Sequence, residues 1–131
     1  MHLDQSQYVE LLGFRDGLRR FLRWSEQQAK AAGLTPAQHQ LLLAVRGHDG
    51  SPTIGDLADH LLLRHHSVVE LIDRAERAGL VHRHPDPHDH RVVHVRLTQT
   101  GARRLATLST AHLEELRRLA SKVEPIWANL T

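Results

Sequence analysis

Histidine and arginine, the side chains best suited to meet an anion or a metal, are unevenly placed in this chain. Of the 12 histidines, His82, His84, His88, His90 and His94 crowd one short segment. On a strand, residues two apart share a face, so His82 and His84 point together, with His94 able to lie across from them. Imidazoles so placed can hold a divalent ion. Asp86 and Asp89 are near, but no carboxylate or cysteine completes an obvious tetrahedral set, and no resident metal or other cofactor is expected. Charged imidazoles beside phosphates are the stronger reading, and their contribution would grow below about pH 6.5. Between Arg91 and Arg104 there are four arginines and no acid. Asp89 stands two residues before Arg91, close enough to orient its guanidinium. An arginine held at a loop tip suits a narrow minor groove, where negative potential is enhanced.

A second constellation opens near His65. Val68, Leu71, Ile72 and Ala75 recur at helical spacing and form a buried stripe, which leaves His66, Val69, Glu70, Asp73 and Arg77 opposite, with His65 and Arg74 at the edges. One polar helix face of this size fits the major groove, and its N-terminal part reaches the bases. His65, His66, Val69 and Glu70 are the candidate base readers. Ser67 and Arg74 are candidate backbone contacts, and Arg64 joins this DNA-binding set at the start of the helix. Val69 suits a thymine methyl and Glu70 a cytosine amino group. The plainer alternative is that Glu70, Asp73, Arg74 and Arg77 solvate the helix through pairs three or four apart.

These groups need positioning elements. Residues 4–32 read as one long helix, with Leu11, Phe14, Leu18, Phe21, Leu22 and Ala29 at spacings of three and four and Gly33 as its stop. Thr35-Pro36-Ala37-Gln38 opens a second helix with a capping box and a proline at its first position. Leu41, Leu42, Ala44 and Val45 give its apolar face. Thr53 caps a third helix, with Asp56 three residues on and Ile54, Leu57, Ala58 and Leu61 buried. A turn at Leu62-Leu63-Arg64 leads to the helix from His65, which stops at Gly79 and lacks a good capping residue at its start. Residues 80–84 and 91–97 read as strands, the second alternating Val93, Val95 and Leu97 with His94 and Arg96. A six-residue turn-rich loop, 85–90, joins them. Thr98 caps a last helix whose apolar face holds Leu105, Leu108, His112, Leu116, Leu119 and Val123. Pro125 is expected to end or kink it before an apolar tail of Ile126, Trp127 and Leu130.

Composition narrows the function. The chain has 131 residues, 40% hydrophobic and 24% charged, enough for one packed domain. There is no cysteine, so thiolate metal sites, disulfides and cysteine nucleophiles are excluded. No Gly-rich phosphate loop or nucleophile motif occurs, and an enzyme is not expected. No run of about 18 apolar residues exists, and no membrane association is expected. Net charge is only +2 while the pI is about 9.7, because the basic residues are arginines apart from Lys30 and Lys122. A GC-rich genome would also enrich Arg, Ala, Leu and His, so placement rather than number carries the argument.

Leu34-Thr35-Pro36-Ala37-Gln38, Ile54-Gly55-Asp56-Leu57-Ala58, the run from Leu71 through Asp73-Arg74 to Gly79-Leu80-Val81, Asp86-Pro87-His88-Asp89-His90-Arg91, and Leu97-Thr98 with Gly101 together resemble the MarR family of bacterial regulators. The resemblance covers residues 34–116, and Asp89-x-Arg91 followed by Leu97-Thr98 is its most specific part. Val69, Glu70, His90 and the His65-His66 pair depart from the residue types common there. The resemblance implies a mainly α protein with a small β-hairpin wing. That is a winged helix-turn-helix core at 34–98 and a helical dimerisation region at 1–33 and 99–131. It implies a cytoplasmic, nucleoid-associated homodimer that binds a pseudopalindromic operator in double-stranded DNA and represses transcription. The recognition helix would sit in the major groove, with Asp89, His90 and Arg91 at the wing. Leu11, Phe14, Leu18, Leu108, His112, Leu116, Leu119 and Ile126 are the expected dimerisation residues. Such regulators often bind aromatic ligands between dimer helices and core, and Phe21, Trp24, His39 and His112 are candidate lining residues for a small effector. A metal- or pH-responsive regulator using the wing histidines, or a helical protein-interaction module, is the alternative.

Overall fold

A computed structural model describes residues 2–128, apart from the side chain of Trp127. Leu130 and that indole, expected in an apolar tail, lie outside the described residues. The chain forms α1 (Gln5–Ala31), α2 (Pro36–Gly47), α3 (Ile54–Leu61), α4 (His65–Arg77), β1 (Val81–Pro85), β2 (Val93–Leu97) and α5 (Gln99–Ala128). The architecture is mainly helical with one antiparallel hairpin, a winged helix-turn-helix flanked by two long helices.

Local chemistry sets most boundaries. Capping boxes close the N-termini of α1 (Asp4 with Gln7), α2 (Thr35 with Gln38) and α3 (Thr53 with Asp56). Each satisfies two backbone donors that a helix start would otherwise leave open. Arg64 precedes α4 without a side-chain cap, as its sequence suggests. α1 and α4 end alike, with Gly33 and Gly79 at positive φ and the next amides bonded back to Ala29 and Ala75. Thr98 starts α5: its hydroxyl accepts from Gly101 N–H at 3.0 Å and donates to the Gly79 carbonyl at 2.6 Å.

Three expected boundaries shift. The strands span 81–85 and 93–97, not 80–84 and 91–97. Asp86 N–H donates to the Val92 carbonyl and Val92 N–H to that of Asp89, so the loop takes Arg91 and Val92. α5 runs through Pro125 to Ala128 instead of stopping. Proline has no N–H to donate to the carbonyl four residues back, so the helix forgoes that one bond.

The core lies where α2, α3, α4 and the hairpin meet the first half of α5. Leu41, Leu42, Leu57, Val68, Ile72 and Leu80 are fully buried, joined by Val81, Val95 and Leu105. Burial of one such side chain contributes roughly 1.5–3 kcal/mol. α5 can start only because residue 101 is glycine: a Cβ there would run into the Leu80 carbonyl. The long helices touch each other at Gly17 and Leu119, where any Cβ would press on the leucine methyl. Among α1 residues only Ala29 is buried in the single chain. Leu11 and Leu22, expected on a covered stripe, are more than half exposed.

Candidate nucleic-acid interface

The second helix of the helix-turn-helix is α4. Its inner stripe packs as read, with Val68, Ile72 and Ala75 fully buried. Its outer face leaves Arg64, His65, His66, Glu70 and Arg74 exposed, with Ser67 and Val69 half-buried. All seven candidate readers and backbone contacts thus lie along the open side of α4 and its N-terminus. The turn before it is unusual. Leu62 adopts left-handed geometry, φ 55° and ψ 42°, although it is not glycine and is 90% exposed.

The acids of α4 do not pair along the helix. Arg83 of β1 donates from Nη2 to Asp73 at 2.5 Å and from Nη1 to Glu76 at 2.6 Å, while its own N–H reaches Glu76. Arg77 Nε donates to the Asp73 carbonyl. Arg83 therefore ties the wing to α4, a role its sequence position did not reveal.

At the wing tip, Asp89 accepts from Arg91 Nε at 3.1 Å and from Nη2 at 3.2 Å, and also from Arg91 N–H. The Arg91 side chain is 91% exposed. Hydrogen bonds from Arg91, side chain first, hold the Asp89 carboxyl below the usual carboxylate range. His90 beside it is exposed. Deeper in the loop, Asp86 Oδ2 accepts from the amides of His88 and Asp89. Its other oxygen accepts from His94 Nε2 at 2.7 Å. The His94 bond, then the two amides, push its pKa down to about 2. His84 pairs across the hairpin with His94. His94, however, is already engaged by Asp86 and by the Ser51 carbonyl. His82 and His84 pack edge to face, 4.4 Å between centroids. Among the described residues no three histidine or acidic side chains are arranged to hold a metal.

Behind the interface, α1, α2 and α5 enclose a cleft of about 500 Å3, lined by Phe21, His39 and His112 with Leu43, Leu113 and Leu116. His112 bonds to Ser25 Oγ and to the Leu108 carbonyl, both at 2.7 Å. Its ring packs against His39, centroids 4.7 Å apart, and against Phe21 at 6.0 Å. Trp24 does not line the cleft. It backs His112 at 4.8 Å. His39 is 7% exposed, and burial first, then His112, lowers its pKa.

Residues 32–92 match the model of the MarR family. This segment of the chain belongs to the MarR family. It covers the helix-turn-helix and most of the wing. YsmB of Bacillus subtilis (strain 168), an uncharacterised HTH-type transcriptional regulator, is 38% identical over 68 residues, 52% of this chain and 47% of that protein. The aligned stretch thus spans about half the length of that curated relative. The fold likeness runs over the whole chain. AbsC, a MarR family transcriptional regulator from Streptomyces coelicolor, superposes with a TM-score of 0.75 at 20% identity, over 99% of this chain and 97% of its own. A mutant MepR from S. aureus bound to an oligodeoxyribonucleotide gives 0.70 at 24% identity, over 98% and 94%. The helices that flank the matched segment therefore share the fold of those regulators.

The expected dimerisation residues divide. Leu11 and Leu116 are exposed, and Phe14, Leu18, His112, Leu119 and Ile126 are half-buried. Leu108 is different: at 4% exposure it is already buried in the core of one chain, without a partner. Leu3, Val9 and Leu12 on and before α1 and Leu113 on α5 are further exposed apolar residues the sequence reading did not single out. No described helix is long and apolar enough to cross a membrane.

Proposed function

We propose that the protein is a sequence-specific, double-stranded-DNA-binding transcription regulator that acts as a homodimer, with repression as its expected output. The observation that supports this reading most is the pair of features on one side of the molecule. An exposed Arg91 is gripped by Asp89 at the wing tip, and α4, whose N-terminal half is open, is tied to the same wing through Asp73 and Glu76 of its C-terminal half by Arg83. A helix that enters the major groove beside an arginine aimed at the adjacent minor groove reads two surfaces at once. His65, His66, Val69 and Glu70 then face base edges, while Arg64, Ser67, Arg74 and His90 serve the backbone. The oligonucleotide-bound MepR of similar fold agrees with a DNA partner.

The exposed leucines of α1 and α5 support a second copy as the partner of the helical ends. Helices of 27 and 30 residues extend about 40 and 45 Å. A twofold dimer would cover their apolar residues and present two α4 helices to half-sites about one DNA turn apart. The aromatic cleft between the long helices and α2 is the proposed seat of a small aromatic effector. Titration of duplex DNA at rising salt tests the reading. Affinity should fall steeply as phosphate contacts release counterions, and Arg91→Ala should weaken it further. Affinity indifferent to salt would leave a helical protein-interaction module in its place.

A further inference from the structure

His94 lies at the root of the wing, and both of its ring nitrogens meet acceptors. Nδ1 is 2.8 Å from the Ser51 carbonyl and Nε2 is 2.7 Å from Asp86 Oδ1. A carbonyl has no proton to give, and a carboxylate near neutral pH has none either. Two such bonds therefore need two N–H donors, which only the imidazolium possesses. We propose that His94 is a positioning residue for DNA binding, a doubly protonated strut that holds the wing and its Arg91 in place and weakens its hold as pH rises.

The connection from His94 to the tip is continuous. Asp86, fixed by His94, accepts from the amides of His88 and Asp89, and Asp89 grips Arg91. On the other side, Ser51 belongs to the segment between α2 and α3, and Pro52 next to it accepts from Val95 N–H. The strut thus joins the wing loop to the helix-turn-helix body. Asp86 favours the charged ring, and Arg96 on the same strand opposes it. His84 lies directly across on β1 with His82 beside it. The segment from α2 to α3 meets the ring with the neutral Ser51 carbonyl, and Thr53 bridges the His94 backbone. The Asp86 and Ser51 bonds prevail and raise the His94 pKa. No histidine is needed at the DNA itself for this effect.

The inference rests on the DNA-binding reading, and two measurements separate them. Ring nitrogen shifts from long-range 15N–1H spectra should show both His94 nitrogens protonated at pH 7; a neutral single tautomer overturns the strut. Duplex affinity should drop about fivefold or more from pH 6 to pH 8.5, the lower end of coupling between sites. His94→Gln should lose at least that part of the pH dependence. In an Arg91→Ala background the same substitution should change affinity little, because the strut acts through that arginine. An equal pH profile in wild type and His94→Gln, or additive effects with Arg91→Ala, overturns the positioning role alone. A protein that binds no duplex at either pH loses the DNA reading and the positioning role together.

Discussion

Arg83 donates to Asp73 across the gap between the first wing strand and α4, and its second nitrogen takes Glu76 one turn on. The fork fixes the angle between the two elements proposed to meet DNA. Both acids are about two-fifths exposed, so solvent screens the pairs. Arg83→Met should therefore cost only about 1 kcal/mol or less in urea unfolding. Its effect on duplex affinity should be clearly larger than that of a surface arginine such as Arg19. Equal effects from both would deny Arg83 a positioning role.

Gly101 packs on the Leu80 carbonyl, which also accepts from Thr98 N–H. Gly101→Ala should destabilise by about 1–3 kcal/mol, because backbone rather than a flexible side chain must yield. Unchanged thermal and urea midpoints would show that the junction is looser than described.

Leu62 sits in left-handed geometry with its side chain in solvent. The conformation costs an L-residue about 1–2 kcal/mol, offset in part by glycine's greater freedom when unfolded. Leu62→Gly should stabilise by about 0.5–1 kcal/mol in urea titration. A loss of stability would mean that the exposed side chain has a role in the folded chain.

His39 and His94 pull stability in opposite directions with pH. His39 has a lowered pKa, so it stays neutral in the fold while the unfolded chain takes up protons from 6.5 downward. Its contribution is present above pH 6.5 and is lost as pH falls through the lowered value. His94 has a raised pKa. Its contribution is complete below 6.5 and is lost as pH rises through the raised value. His39→Leu should flatten the acid side of a stability-versus-pH curve measured by urea unfolding from pH 4.5 to 8. A curve with the same acid slope as wild type would place the titration elsewhere.

What could be read from sequence follows the range of the interactions. Thr35, Thr53 and Thr98 announce helix starts because a cap and its target lie three residues apart, and each caps as read. Asp89 and Arg91 are two apart, so their pairing was legible too. Arg83 was not, since its partners lie on another element, and Asp73 and Arg77 looked like an exposed face. Leu62 carries no signal of its conformation, for glycine would be the usual residue there. β2 starts at Val93 because Asp86 folds the loop back onto Val92, a closure visible only once His94 and the two loop amides are placed around that carboxylate. The apolar pattern of α1 and α5 was plain, but pattern alone does not say whether a residue packs within its own chain, as Leu108 does, or stays open, as Leu11 does.

The central claim, that α4 and the Asp89–Arg91 wing read DNA as a twofold pair, is tested most directly by selection from a pool of random duplexes. Wild type and Arg91→Ala would be compared at fixed salt, with sequencing of the retained DNA. The account predicts enrichment of a two-fold-symmetric site, its half-sites about one helical turn apart, and weaker enrichment for Arg91→Ala. A wild-type pool that stays random after repeated rounds would contradict it.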